Sequence, residues 1–165
     1  MLNSDSQPFE PTMSMNTPDA RTSPLAAEPL GAYAHCRVVR AGGTATLYLA
    51  GLGPRSRGSR VIPGVVLRDG RVESYDIAPQ VRACFENVRL VLAQAGFAWG
   101  DIVDVTVFMT DIPRDFATFN RLWAEAFADP ATAPCRTTVQ VAALPQGGEA
   151  PINVELKVVA AKADA

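Results

Sequence analysis

Two charged residues stand inside apolar runs that are typical of β-strands. Arg136 lies in the run 134–141, and Glu155 lies between Val154 and Leu156. A guanidinium group in a packed sheet must contact an anion or reach water. The two side chains therefore either form a structural ion pair or flank a pocket. In a pocket, Arg136 would bind a substrate carboxylate through two hydrogen bonds, and Glu155 would transfer a proton or activate a water molecule.

Two more arginines lie in a glycine-rich loop. Arg55 and Arg57 stand between Gly51 and Gly58, and the glycines allow this loop to move. Charged residues in a loop are usually a solvated surface. However, two guanidinium groups close to Arg136 would suit a ligand that carries two carboxylates. The sequence leaves both interpretations open.

The motifs of several enzyme classes are missing. The sequence contains no GxSxG, P-loop, HExxH or GxGxxG motif. His35 is the only histidine, and a lone histidine is more often structural than catalytic. The three cysteines, Cys36, Cys84 and Cys135, are scattered and odd in number. We therefore expect neither a zinc site nor a disulfide framework, and we expect a reducing, cytoplasmic location.

The composition predicts one globular domain with a tail. The chain has 165 residues, of which 48% are hydrophobic, which is enough to bury a core. Residues 1–28 are rich in Ser, Thr, Pro and Asp, so we expect a flexible tail there and a single domain over 29–165. The formal net charge of −2 argues against a nucleic-acid partner. No apolar run approaches the roughly 20 residues that span a bilayer, so we expect no membrane partner.

The hydrophobic periodicity predicts the elements that position these residues. Alternating patterns indicate strands over 35–40, 46–50, 62–67, 101–110, 134–141 and 152–158. Three-four spacing indicates a helix from Asp76 to Gly96 and a second one over about 114–128. The order β-β-β-α-β-α-β-β predicts an α+β fold, in which a mixed six-stranded sheet carries two helices on one face. The other face is partly apolar, so we expect other subunits to cover it.

Several segments of the sequence resemble the Rid (YjgF-type) family of enamine and imine deaminases. The resemblance covers about residues 31–162. It is carried by GAY (31–33), LAG (49–51), DIAPQVR (76–82), ENV (86–88), DIVDVTVFMTD (101–111), DFATFN (115–120), PCRTTV (134–139), LP (144–145) and VELKVVA (154–160).

This resemblance implies a fold, an assembly and a site. The family fold is chorismate-mutase-like, and the family assembles as a homotrimer with active sites in clefts between subunits. The resemblance implies that Arg136 binds the substrate carboxylate and that Glu155 positions or activates the attacking water. No metal or other cofactor is implied. The substrate-binding residues that it implies are Tyr33, Gly51, Asn120 and the Thr138 position.

Departures from the family pattern bear on the substrate. Ala50 replaces a common serine, Thr138 replaces a common cysteine, and residues 147–150 lengthen the loop before the last strand. The Arg55 to Arg57 loop resembles that of a branch of the family that contains 2-aminomuconate deaminases, which act on an unsaturated amino-dicarboxylate.

We expect hydrolytic deamination of a carboxylate-bearing enamine or imine. The alternative is a ligand-binding or regulatory trimer that uses the same pocket without turnover.

Overall fold

The computed structural model describes residues 19–164, in which two helices lie on one face of a mixed six-stranded sheet. The strand order is β1-β2-β3-β8-β6-β7, the pair β6–β7 is parallel, and the other pairs are antiparallel. Strands β4 and β5 form a separate hairpin. The strands are β1 (Asp19–Arg21), β2 (Cys36–Ala41), β3 (Thr44–Leu49), β4 (Val65–Arg68), β5 (Arg71–Tyr75), β6 (Ile102–Met109), β7 (Cys135–Gln140) and β8 (Val154–Ala163); the helices are α1 (Ile77–Ala95) and α2 (Ile112–Ala126).

Both helices begin and end for local reasons. The Asp76 carboxylate caps α1 by accepting a hydrogen bond of 2.9 Å from the Ala78 amide. Gly96 ends α1 in the left-handed conformation, with φ of 79°. The Asp111 carboxylate caps α2 through the Arg114 amide at 3.0 Å. These signals confirm the two predicted helices, although α2 begins and ends about two residues earlier than expected.

The main core lies between the helices and the sheet. Its α1 side is built from fully buried residues such as Val81, Cys84 and Val88, which pack against Val154 and Leu156 of β8. A smaller cluster lies on the opposite face of the sheet, hereafter the open face. Ile62, Leu144, Ala150 and Ile152 form it and cover Phe108. Part of the open face is thus covered by the chain's own loops.

The α+β class, the six-stranded mixed sheet and the two helices are confirmed, but one predicted strand is placed differently. The segment predicted as the third strand, 62–67, contributes β4 to the separate hairpin instead of joining the sheet. Asp69 and Gly70 both have positive φ, 51° and 73°, which is the geometry of a tight two-residue hairpin turn. This turn pairs β4 with β5, a strand that the periodicity did not reveal.

The sixth strand of the sheet comes from the segment expected to be a flexible tail. Strand β1 pairs with the edge of β2, and Ala26 is 1% exposed. The structure therefore differs from the expected boundary at residue 28, because residues 19–28 make backbone pairs and buried contacts with the domain. The expectation of a flexible tail over 1–18 lies outside the described residues.

Between residues 19 and 164, neither helix has the length and apolar character needed to cross a membrane.

Candidate active site

A cavity of about 190 Å³ on the open face brings four of the predicted site residues together. Tyr33, Gly51, Arg55 and Glu155 line this space, hereafter the Glu155 cavity. The remaining wall is mostly apolar or small, so the cavity combines one carboxyl group, one guanidinium cation and one phenol with a shaped surface. Its other lining residues are Leu30, Gly31, Gly53, Pro145 and Ile152.

The Glu155 carboxyl group lies against the backbone of Gly51. Leu52 exchanges backbone hydrogen bonds of 2.8 and 3.1 Å with Leu156, and this bridge carries Gly51 over the neighbouring Glu155 side chain. A Cβ atom at Gly51 would overlap Oε1 of Glu155 and would lie 2.7 Å from its Cδ. A side chain at position 51 would therefore displace the Glu155 carboxyl group, so glycine matters here through close approach and not through a positive φ.

The Glu155 carboxyl group is available to react with a ligand. Its carboxyl oxygens form no hydrogen bond or ion pair with any of residues 19–164. Burial raises the pKa of this carboxyl group, and the charge of Arg55 opposes part of the rise. A carboxyl group with a raised pKa and no structural partner is suited to exchange protons with a ligand.

The structure separates the two loop arginines. Arg55 lines the Glu155 cavity, and its Nη2 donates a hydrogen bond of 2.9 Å to the carbonyl of Glu28. Arg57 instead forms an ion pair of 3.0 Å with the Glu28 carboxylate and does not line the cavity. Of the two expected ligand-binding arginines, the geometry brings only Arg55 to Glu155.

The segment 23–31 forms a wall of the cavity that no sequence pattern indicates. The His35 ring is 2% exposed and binds this segment at both nitrogens. Nδ1 accepts a hydrogen bond of 2.9 Å from the Ser23 amide, so Nε2 carries the proton and donates to the Ala27 carbonyl at 2.8 Å. His35 thus has a structural role: it fixes the segment that places Leu30 and Gly31 in the cavity wall.

Arg136 lies elsewhere, in a cradle of aromatic rings from α2. Its guanidinium carbon is 4.8 Å from the ring centre of Trp123, 5.5 Å from that of Phe119 and 5.7 Å from that of Phe116. No carboxylate of residues 19–164 pairs with it, and burial lowers the pKa of the group. Stacking on aromatic faces stabilises the cation and leaves its hydrogen-bond donors free to bind an anion.

Two further predicted residues lie on the Arg136 side. Thr138 follows on the same face of β7, and its hydroxyl oxygen is buried without a hydrogen-bond partner among residues 19–164. Asn120 is four residues after Phe116 and three before Trp123, so it lies on the α2 stripe that forms the cradle. The side chains of Arg136, Thr138 and Asn120 thus form a second group with unsatisfied polar capacity.

The two groups lie on opposite faces of the same sheet. Arg136 pairs across the ladder with Val105, which is 2% exposed beneath the helices, whereas Glu155 pairs with Phe108. Residues 105 and 108 are three apart on one strand and therefore point to opposite faces. Within one chain, this geometry excludes the structural ion pair between Arg136 and Glu155 that the residues alone had left open.

A loop that was visible in the sequence as an insertion packs behind Arg55 of the cavity wall. The extra residues 147–150 place Gly147 beside Arg55, where an added Cβ would lie 2.8 Å from Cδ and 2.9 Å from Nε. Gly148 lies equally close to Ile62. The Gly147-Gly148 pair in this insertion indicated such a contact in the sequence, because adjacent glycines often mark close packing of the backbone against side chains.

Comparison with known proteins adds a family and several relatives. The family model described as Endoribonuclease L-PSP matches residues 24–162. The 2-iminobutanoate/2-iminopropanoate deaminase of Escherichia coli is 38% identical over 88 residues, which are 53% of this chain and 65% of that protein. The matched chain thus spans less than two thirds of this curated relative.

Longer matches support the same relationship. A RutC family protein of Pyrococcus horikoshii is 30% identical over 137 residues, which are 83% of this chain and 92% of that protein. The solved structure of Escherichia coli TdcF with bound serine matches with a TM-score of 0.66 and 29% identity. That match covers 88% of this chain and 98% of the other.

Proposed function

Because the chain belongs to the Rid (YjgF-type) family, the family described as Endoribonuclease L-PSP, we propose that it is a cofactor-independent deaminase of enamines and imines that carry a carboxylate. The observation that carries this proposal is the unpartnered Glu155 carboxyl group in a cavity beside Arg55. The name of the Escherichia coli relative, 2-iminobutanoate/2-iminopropanoate deaminase, supports the substrate class.

The proposed reaction needs orientation and one acid-base group. The enamine first tautomerises to an imine, as a proton moves from nitrogen to the terminal carbon. Water then adds to the C=N carbon, and Glu155 accepts a proton from that water. That proton passes to the imine nitrogen, which gives a carbinolamine. Glu155 then accepts the proton of the new hydroxyl group and passes it to nitrogen, the C=O bond forms as the C–N bond breaks, and ammonia leaves with the bonding electrons. The products are a 2-oxo acid and ammonia, and a residue that clamps the carboxylate fixes the approach of water.

In this proposal Arg136 is the clamp, and it reaches the substrate from a neighbouring subunit. Within one chain Arg136 and Glu155 face opposite sides of the sheet, so one chain alone does not bring them to one ligand. A homotrimer with clefts between subunits would place the Arg136, Thr138 and Asn120 group of one copy opposite the Glu155 cavity of the next. The free donors of Arg136 and the unpaired Thr138 hydroxyl would then have a ligand to bind.

The finer substrate proposal is an imine with two carboxylates, such as the one derived from 2-aminomuconate. Arg55 lies in the Glu155 cavity, and Arg136 would bind the carboxylate next to the imine, so Arg55 can bind a second one. Replacing Arg55 with Ala should lower kcat/KM for the dicarboxylate by roughly ten- to a hundredfold, and should lower it far less for the 2-aminoacrylate imine. Arg57→Ala is the matched control, because Arg57 is paired with Glu28. Equal losses on both substrates would leave a general imine deaminase.

The decisive test measures turnover. The imine of pyruvate is generated in place from 2-aminoacrylate, and its decay and the release of ammonia are followed with the full chain. We expect the wild-type protein to accelerate decay, Glu155→Gln to abolish the acceleration, and Glu73→Gln, a change in an exposed ion pair of the β4–β5 hairpin, to have no effect. Tight binding of 2-oxo acids without any acceleration would instead support a ligand-binding trimer.

A further inference from the structure

A buried amide on α1 holds the loop that carries Arg55. Asn87 is 7% exposed, and its Nδ2 donates hydrogen bonds of 2.8 Å to the carbonyls of both Gly53 and Arg55. The amide nitrogen has two hydrogens, so these two bonds use its full donor capacity. Asn87 therefore connects a packed helix to two successive points of an irregular loop.

The loop depends on this connection in its middle. Its ends are fixed by the bridge of Leu52 to Leu156 and by the bridge of Ser56 to Ala26. Pro54, between the two bonded carbonyls, has no N–H group to contribute. The Asn87 amide is thus the side chain that fixes the direction of the backbone where Arg55 leaves it.

From that fixed backbone the Arg55 side chain runs along the cavity wall. It passes against Gly147, and its Nη2 bonds to the Glu28 carbonyl. We infer that Asn87 is a positioning residue, whose buried side-chain amide holds the Arg55 guanidinium beside the Glu155 carboxyl group. Only the naming of Glu155 as the acid-base group rests on the proposed function.

The physical consequence is electrostatic. The interaction between two charges weakens as the distance between them grows. The Arg55 charge opposes the burial that raises the pKa of Glu155, so releasing Arg55 allows that pKa to rise further. Among residues 19–164, the other titratable groups near Glu155 are the Tyr33 phenol in the cavity wall and the buried Cys84 thiol of α1 beneath β8.

The experiment is a direct titration of Glu155 in the full chain without substrate. Proteins labelled with ¹³C at the glutamate side-chain carboxyl are titrated by NMR, and the Glu155 signal is assigned with Glu155→Gln. We expect the midpoint to move upward in Asn87→Ala and in Arg55→Met. In the double variant we expect no movement beyond that of Arg55→Met alone, because Asn87 acts through Arg55. An unmoved midpoint in either single variant, or additive movement in the double variant, would overturn the inference.

Two further variants separate positioning from general stability. Asp76→Ala removes the cap of α1 without touching the loop, so it should lower thermal stability while the Glu155 midpoint stays in place. If Asn87→Ala does not fold, Asn87→Ser keeps one donor on a shorter side chain and should move the midpoint in the same direction. A midpoint that moves equally in Asp76→Ala would show a merely structural role.

Kinetics then distinguish this inference from the proposed function. On a dicarboxylate imine, Asn87→Ala should lower kcat/KM by about tenfold, mainly through KM, as Arg55→Met does. If the wild-type protein turns over no imine, the proposed function fails. The titration still decides whether Asn87 positions Arg55, because it needs no substrate.

Discussion

At the scale of single residues, the aromatic cradle makes the Arg136 guanidinium a specific requirement. We expect Arg136→Ala to lower kcat/KM on the order of a thousandfold or more, because the proposed bidentate carboxylate clamp is lost. Arg136→Lys keeps the charge and the aliphatic stem but not the planar fork, so it should be nearly as damaging. Steady-state kinetics and thermal unfolding together check this. Near-normal activity of the lysine variant would show that charge alone suffices.

The raised pKa of Glu155 has a sign that stability measurements can test. A carboxyl group whose pKa is higher in the folded than in the unfolded state destabilises the fold once it ionises. Glu155→Gln should therefore be more stable than the wild type above the folded pKa, and the difference should vanish in acid below the unfolded pKa. Urea unfolding across this pH range measures it, with Glu73→Gln as the exposed control. A glutamine variant that is less stable at neutral pH would contradict the burial argument.

The sequence identified these two residues for a physical reason, and it missed others for a different one. A charge inside an apolar strand has a conspicuous desolvation cost, so Arg136 and Glu155 could be found from their neighbours alone. Their opposite orientation depends on the pairing of β6 with both β7 and β8, which periodicity does not reveal. The sequence indicated a structural role for His35, but not the segments that His35 and Asn87 hold, because their partners are backbone groups of irregular segments, which carry no sequence pattern.

At the scale of elements, the short strand β1 is held by charges. Hydrogen bonds from Arg21 and Arg40 lower the pKa of Asp19 from 3.8 to about 2, and Arg40 also bonds Asp164 beyond the end of β8. Because the pKa is depressed in the folded state, this stabilisation is complete above 3.8 and is lost as the pH falls toward about 2.

We therefore expect Asp19→Asn to remove part of the acid sensitivity of the fold. The variant should be less stable than the wild type at neutral pH, and the difference should shrink as the pH falls through that window. Unfolding monitored by circular dichroism at several pH values checks this, and low ionic strength should enlarge the effect. A difference that does not change with pH would assign the effect of the substitution to something other than the charge of Asp19.

The elements that could be predicted are those with local signals. Helix α1 has both its cap residue and its terminal glycine in the sequence, and the burial of β6 alternates from Val105 to Met109. Strand β1 has three residues and no apolar alternation, and its partner β2 begins only at Cys36, after a long irregular segment. Strand β5 is exposed on nearly every residue, so no hydrophobic pattern could indicate it.

At the scale of the whole molecule, the open face remains partly apolar and exposed. Tyr48 and Val139 are 48% and 37% exposed there, beyond the area that the small second core covers. We expect light scattering on the full chain to give three times the mass of one chain. A stable monomer at micromolar concentration would contradict both the trimer and the shared site.

Mixed assemblies test the sharing of the site directly. Arg136→Ala and Glu155→Gln should each be inactive alone. An equal, randomly mixed sample of the two should regain about one quarter of the wild-type activity. About three quarters of its trimers are hybrids, and one of the three clefts in each hybrid combines an intact Arg136 with an intact Glu155. Hybrids that form by native mass spectrometry but regain no activity would show that both residues act from the same chain.

The double hydrogen bonding of His35 gives the protein an internal reporter. The chain has one histidine, so a ¹⁵N-labelled sample gives a single pair of imidazole nitrogen signals. Those signals report the Nε2-protonated ring only while the Ser23 amide and the Ala27 carbonyl are bonded to it. Docking and release of the segment that walls the cavity can therefore be followed spectroscopically at one ring, in the unmodified protein and during ligand titration.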